Sequence, residues 1–130
     1  MTIAPRNSRE ELDRIVEMMD RRGWQIMIHP LGDGAVRMVL DAFERAAAVN
    51  PAPARGRRHR IEHIETIDPA DVPRFGALGV IASMHPGGAF IPANPPAQTA
   101  TPAFMLGAWG RNIGPERAAR GGMRRSIAEA

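Results

Sequence analysis

Two short apolar-rich runs in this chain each end on or next to a histidine. His29 ends the run that begins at Trp24, and His63 lies near the end of the run that begins at Arg60. A helical pattern follows each run, so we expect each histidine at the C-terminal end of a β-strand, where β/α enzymes place catalytic groups. Neutral imidazole is a common ligand of zinc and similar metals. The pair therefore indicates part of a metal site, although a histidine that bonds a carbonyl within its own turn is the alternative for each.

Three more polar residues are predicted near these strand ends. Asp33 is expected to cap the next helix or to hydrogen-bond the second ring nitrogen of a ligand. Side chains alternate along a strand, so if His63 faces the interior, Glu62 faces the helices. There Glu62 would pair with an arginine or support the site from behind the ligands. His85 follows the third strand and is expected to contact substrate, to add a ligand or to be a plain surface residue.

The hydrophobic pattern predicts strands that alternate with helices. A capping box at Ser8 and Glu11 begins the first helix, a second helix follows Gly34, and Asp68 caps the third. The predicted strands cover residues 24–29, 60–64 and 80–84, followed by a loop at 85–102 and a helical segment at 115–130. This order implies a parallel sheet with right-handed crossovers, as in a doubly wound sheet or a β/α barrel. A glycine-rich dinucleotide loop would favour the doubly wound sheet, and none follows any strand.

Length and composition indicate a single globular unit. The chain has 130 residues, of which 44% are hydrophobic, and it has no cysteine. Disulfides, thiolate metal sites and a cysteine nucleophile are therefore excluded. No apolar run approaches the roughly 18 residues of a membrane span, and the N-terminus has no signal-peptide pattern. We therefore expect a cytoplasmic protein.

The basic residues are all arginine, which inflates the isoelectric point. There are 17 of them, yet the net charge is only +3. The densest cluster covers residues 55–60 and would be a phosphate-binding surface or a solvated loop that leads into a strand. Acidic residues are interspersed and aromatic residues are few, which favours the loop and makes nucleic-acid binding the weaker alternative. His59, within this cluster, is expected to be exposed.

Several motifs, in order, resemble one family. Residues 29–33, His-Pro-Leu-Gly-Asp, resemble the His-x-x-Gly-Asp element of the amidohydrolase superfamily, in its amidohydrolase 3 branch. Residues 58–63 resemble that family's Arg-His-Arg-Ile-Glu-His element. Residues 74–84, 114–119 and 125–127 are similar to its later segments. The resemblance covers nearly the whole chain and is weakest between residues 87 and 111.

The resemblance implies a fold and a chemistry. The fold would be a TIM-type (β/α)8 barrel, with residues 1–130 forming one partial barrel domain that runs from the fourth helix to the seventh. The family's site holds one or two divalent metals, often zinc, and uses metal-activated water against an amide-type C–N bond of a small molecule. His29 and His63 would be metal ligands from the fifth and sixth strands. From their positions near the strand ends, and not from the resemblance, we expect Asp33, Glu62 and His85 to contact substrate or to lie behind the ligands.

The chain also departs from the family's pattern. The His-x-His pair of the first strand, the bridging lysine or glutamate of the fourth, and the aspartate base of the eighth are missing, so the catalytic base is unknown. His85 stands where the family usually has glutamine. We therefore expect a metal-dependent amidohydrolase that is inactive as an isolated chain, with a non-catalytic truncated fragment as the alternative. The sequence leaves open whether the chain forms a homo-oligomer.

Overall fold

The described residues form three β/α units. The structure is a computed structural model, and it describes residues 4–84 together with Gly114, Glu116 and Ile127. Its elements are α1 (Arg9–Arg21), β1 (Met27–Ile28), α2 (Asp33–Val49), β2 (Arg60–Glu62), α3 (Val72–Leu78) and β3 (Ile81–Ser83), with a 3-10 turn, Pro69–Asp71, before α3. The predicted loop at 85–102 and nearly all of the helical segment at 115–130 lie outside the described residues.

The three strands form one parallel sheet in the order β1-β2-β3. Met27 lies beside Arg60, which lies beside Ile81, and the next row is Ile28, Ile61 and Ala82. This topology confirms the predicted fold class of parallel β/α units. Because parallel strands begin at one edge and end at the other, the residues that follow β1 and β2 meet at the same edge of the sheet.

The predicted capping signals at Ser8 and Asp68 both occur in the structure. The Ser8 hydroxyl accepts a hydrogen bond from the Glu11 N–H (3.1 Å), and the Glu11 carboxylate accepts one from the Ser8 N–H (3.0 Å). This capping box supplies partners for N–H groups that the first turn leaves unpaired. Asp68 caps the 3-10 turn by accepting from the Ala70 N–H (3.0 Å), and α3 ends at Gly79 in a left-handed conformation. Among the described residues, no helix is long and apolar enough to cross a membrane.

The first strand is shorter and more exposed than predicted. A mostly buried strand was expected over residues 24–29, but β1 contains only Met27 and Ile28. Trp24 precedes the strand and is 58% exposed, and Met27 is 57% exposed. Met27 lies on the side of the sheet that faces away from the helices, because its neighbour Ile28 packs against the core. The other two strands, each of three residues, are also shorter than predicted.

The core lies between the sheet and the helices. Ile61 of β2 is fully buried there, and α2 contributes the largest group of buried side chains. Helix α1 packs on α2 and buries Val16 completely. The opposite side of the sheet carries Met27, Arg60, Glu62, Ile81 and Ser83, as the strand register requires. We call this second side the open face.

His59 is buried, so the expectation that it is exposed was wrong. Only 2% of its surface is accessible. Its Nδ1 accepts from the Ile26 N–H (3.2 Å), and its Nε2 lies 3.0 Å from Asp20 Oδ1. Since Nδ1 must accept, the proton of the neutral ring is on Nε2 and is donated to Asp20. The partner that buries His59 lies 39 residues away in sequence, and the adjacent arginines gave no indication of it.

Arg57 is the arginine of this cluster that is withdrawn from solvent, whereas Arg55 and Arg58 are exposed, as a solvated loop predicts. The Arg57 side chain is 13% exposed; it donates to Asp20 (2.9 Å) and to the carbonyl oxygen of Asn50 (2.6 Å). The Asn50 amide donates in turn to Asp20 Oδ2 (3.0 Å). Asp20 therefore joins the end of α1, the end of α2 and the start of β2 through one carboxylate. We call Asp20, Asn50, Arg57 and His59 the Asp20 network.

We predict that the protein loses stability in mild acid because of His59. Burial lowers the pKa of His59 below its ordinary 6.5 and outweighs the opposing attraction of Asp20. The unfolded chain therefore binds a proton near pH 6.5 that the folded chain does not bind. The free energy of unfolding should be at its full value above about pH 7.5 and fall as the pH drops below about 6.5. Urea unfolding between pH 8 and pH 5 measures this, and His59→Gln, which cannot titrate, should show a smaller decline. An equal decline in both proteins would contradict the assignment.

Candidate metal centre

His29 and His63 meet at the C-terminal edge of the sheet. His29 follows β1, His63 follows β2, and His29 Nδ1 lies 3.1 Å from His63 Nε2. The ring centroids are 5.2 Å apart, and the planes are tilted by 52°. His29 is exposed and His63 is half-buried. The structure thus brings the two predicted ligands together, with one nitrogen of each ring directed at the other and access from solvent.

A strained turn directs His63 towards His29. The Ile64 N–H donates to the Glu62 carbonyl oxygen (3.0 Å), and His63 between them has φ 72°. These features are those of a classic γ-turn, which is rare and strained. Ile64 follows with φ 55°, which is unfavourable for a β-branched residue. Each left-handed residue costs on the order of 1–3 kcal/mol, and such strain is concentrated at functional sites.

The turn also corrects the predicted face of Glu62. Glu62 was placed with the helices on the condition that His63 continues the strand alternation with Ile61. Ile61 instead packs under the helices, and the turn releases His63 from the alternation. Glu62 therefore lies on the open face and pairs there with Arg60, from its own strand. An arginine partner was expected, but on the opposite side of the sheet.

Glu62 is held by two neighbours on the open face. Arg60 Nε donates to one carboxylate oxygen, and the Ser83 hydroxyl donates to the other (2.7 Å). A second Arg60 nitrogen donates to the Ser83 oxygen (2.7 Å), which closes a ring of contacts across β2 and β3. Arg60 and Ser83 lower the pKa of Glu62. The carboxylate is therefore ionised and fixed on the side of the sheet opposite the core.

The structure tests the prediction for Asp33 but not the one for His85. Asp33 was expected as the helix cap or as a hydrogen-bond partner of a ligand, and the structure makes it the first residue of α2, with Gly32 at the cap position. The cap prediction is thus wrong by one residue. The Asp33 carboxylate accepts from the Gly34 N–H (2.9 Å) and lies in the first turn, where negative charge is favourable. His85 lies outside the described residues, and its role remains a prediction.

The turn between His29 and α2 requires glycine at position 32. Gly32 has φ 95° and ψ 162°, a region that is essentially restricted to glycine. We predict that Gly32→Ala lowers the free energy of unfolding by about 1–3 kcal/mol. Gly34→Ala is the matched control, because a methyl group meets nothing within 4 Å at either position. Gly34 is inside the helix, so alanine there should be neutral or stabilise by up to about 1 kcal/mol. Denaturant unfolding of both variants tests this, and equal effects would contradict it.

Glu65 was not predicted as a site residue. Its Oε1 lies 3.5 Å from His63 Nδ1, the ring nitrogen that does not face His29. An acidic residue two positions after a candidate ligand was visible in the sequence. In a continuous strand, residues 63 and 65 would share a face, but nothing in that pattern showed that their side chains would meet at the end of the strand.

The distance between the two facing ring nitrogens is compatible both with a hydrogen bond and with a shared metal ion. Two zinc–nitrogen bonds of about 2.0–2.1 Å at a tetrahedral angle separate the two nitrogens by about 3.3 Å. The separation of 3.1 Å between His29 Nδ1 and His63 Nε2 is close to this value. Within residues 4–84 and the three later described positions, no group of three or more His, Asp or Glu side chains could hold a metal ion. The described residues thus supply two nitrogens with suitable spacing.

Comparison with known proteins decides the family. The sequence pattern of the amidohydrolase family matches residues 2–109, which is most of the chain. The chain belongs to the amidohydrolase family. Its members are hydrolases, as the family's name states. The family resemblance read from the two histidine motifs is therefore confirmed.

Two proteins similar to this amidohydrolase chain are each much longer than the matched segment. The protein LONG AFTER FAR-RED 3 of Arabidopsis thaliana is 42% identical over 77 residues, which is 59% of this chain and 13% of the plant protein. An uncharacterized metal-dependent hydrolase from Pyrococcus furiosus has 22% identity and a TM-score of 0.65, over 99% of this chain and 23% of that one. The archaeal structure supports the fold. The chain spans less than a quarter of either protein.

Proposed function

We propose that this chain carries one side of the metal centre of an amidohydrolase that hydrolyses a non-peptide, amide-type C–N bond of a small molecule. The observation that supports this most is the 3.1 Å approach of His29 Nδ1 to His63 Nε2 at the sheet edge where β/α enzymes place their active sites. Membership of the amidohydrolase family supports hydrolysis as the chemistry. The three parallel strands would be adjacent strands of a (β/α)8 barrel.

His29 and His63 would hold a divalent metal, for which we propose zinc because both ligands are imidazoles and the spacing fits zinc–nitrogen bonds. A metal held there would make hydroxide available at neutral pH, because coordination lowers the pKa of water to about 7. The chain's own residues orient the two imidazole rings. The turn at His63 fixes one ring, and Gly32 shapes the turn that follows the other.

The proposed site is incomplete in the described residues. A catalytic zinc site commonly has three protein ligands, and His29 and His63 account for two. The third ligand and the base that takes a proton from water would come from elsewhere, with His85 as one candidate ligand. The proposed setting is the cytoplasm.

Zinc binding and amide hydrolysis, measured on the same samples, test this proposal. We expect the 130-residue chain to bind zinc. We also expect a chromogenic anilide and simple N-acylated amino acids to be hydrolysed no faster with the protein than without it. A chain that binds no zinc would contradict the metal centre. Zinc-dependent turnover that is lost in His29→Ala would support the hydrolase and contradict the claim that the isolated chain is inactive.

A further inference from the structure

Each ring nitrogen of His63 faces a different side chain, one from the loop after β1 and one from the loop after β2. Nε2 faces His29 at 3.1 Å, and Nδ1 faces Glu65 Oε1 at 3.5 Å. The His63 and Glu65 side chains are 29% and 25% exposed, so most of each is out of water. A negative charge beside one nitrogen of a half-buried imidazole favours the tautomer with its proton on that nitrogen.

The loop holds Glu65 in place through its neighbours. Ile64 and Thr66, on either side of Glu65, are buried, and Ile67 follows in the core. The left-handed conformations of His63 and Ile64 bend the chain so that residues 63 and 65 approach each other. The strained turn that directs His63 towards His29 therefore also brings the Glu65 carboxylate close to the other ring nitrogen of His63.

Glu62, the carboxylate at the end of β2, already has hydrogen-bond partners for both oxygens. Both of its oxygens accept from Arg60 or Ser83 on the open face. Glu65 Oε1 lies 3.5 Å from a ring nitrogen of His63. A metal-bound histidine usually directs its other ring nitrogen to a carboxylate, a backbone carbonyl or water, which fixes the tautomer and the ring orientation.

We propose that Glu65 is a positioning residue that holds His63 with its proton on Nδ1, so that Nε2 presents its lone pair towards His29 and the metal position. The role of Nε2 as a ligand atom rests on the proposed function. The tautomer does not, because it is a property of the metal-free protein. With this tautomer, His29 Nδ1 is the donor and His63 Nε2 the acceptor across the 3.1 Å contact, and the proton of His63 lies on the nitrogen that is 3.5 Å from Glu65.

Nitrogen-15 NMR of the histidine rings in the metal-free protein at pH 8 tests the tautomer. We expect His63 to carry its proton on Nδ1 in wild type and in Glu65→Gln, whose amide oxygen can still accept. In Glu65→Ala we expect the population to move towards the Nε2–H form. Glu44→Ala, which removes a carboxylate on α2 that pairs with Arg74, is the control and should leave the His63 signals unchanged. An Nε2 proton in wild type, or the same tautomer in wild type and Glu65→Ala, would overturn the proposal.

Zinc titration of the same proteins separates this inference from the proposed function. Loss of the carboxylate in Glu65→Ala should weaken zinc binding by about 10–100-fold, the usual effect of removing such a partner, while Glu65→Gln should retain more of the affinity. If wild type binds no zinc but the tautomer shifts as expected, the proposed function fails and the positioning role stands. If zinc binds through His29 and His63 but the His63 tautomer is the same in wild type and Glu65→Ala, the positioning role is wrong and the proposed function stands.

Discussion

Asp20→Ala is expected to lower the free energy of unfolding by about 3–5 kcal/mol, the range for removing one partner of a buried ion pair. The carboxylate accepts from Arg57, Asn50 and His59 at 2.9–3.0 Å. Alanine would leave the guanidinium of Arg57, 13% exposed, without its anion and the buried Nε2–H of His59 without an acceptor. A domain of this size has a total stability of about 5–15 kcal/mol, so a large part would be lost.

Urea or guanidinium unfolding measures this change, and Glu44→Ala is the matched control. Glu44 also accepts from an arginine, Arg74 (2.7 Å), but its side chain is 63% exposed. Arg74 keeps Asp41 and Asp71 as partners when Glu44 is removed. Exposed ion pairs contribute about 0–1 kcal/mol, so the control should change little. Similar losses in the two variants would show that the Asp20 network is not the buried junction described above.

Replacement of either proposed ligand should weaken zinc binding strongly. We expect His29→Ala and His63→Ala each to lose more affinity than the about 10–100-fold that removal of an outer partner costs. The double variant should bind zinc about as weakly as either single variant, because residues that act as one unit are non-additive. Competition against a zinc indicator measures all three. Additive losses, each small, would indicate two independent surface sites.

His59→Gln is the control for these variants because it leaves three histidines in the chain, as does each single alanine variant. His59 lies at the start of β2, whereas His63 follows the end of that strand. The control should therefore keep its zinc affinity, with folding checked by circular dichroism. Loss of zinc binding in a folded His59→Gln protein would contradict the assignment of the ligands.

Local signals in the sequence predicted much of the fold. The capping box at Ser8 and the cap at Asp68 are set by residues within a few positions, and both occur in the structure. The alternation of strands and helices predicted the parallel order. That order placed His29 and His63 at one edge, since parallel strands end on the same side.

What could not be predicted depends on distant residues or on strain. His59 is buried because Asp20, 39 positions earlier, accepts its proton, and no local pattern encodes that pair. The face of Glu62 was misassigned because nothing in the sequence indicates that the backbone turns to positive φ at His63 (72°) and at the β-branched Ile64 (55°). Packing of Ile64 in the core overrides its backbone preference, and the same turn creates the contact between His63 and Glu65.

The central claim is that His29 and His63 hold one metal ion together. Elemental analysis of wild type, His29→Ala and His63→Ala, each incubated with zinc and then dialysed, tests it most directly. We predict that wild type retains zinc and that both variants retain much less. Equally low zinc in all three proteins would contradict the claim, since the two rings would then meet without forming a metal site.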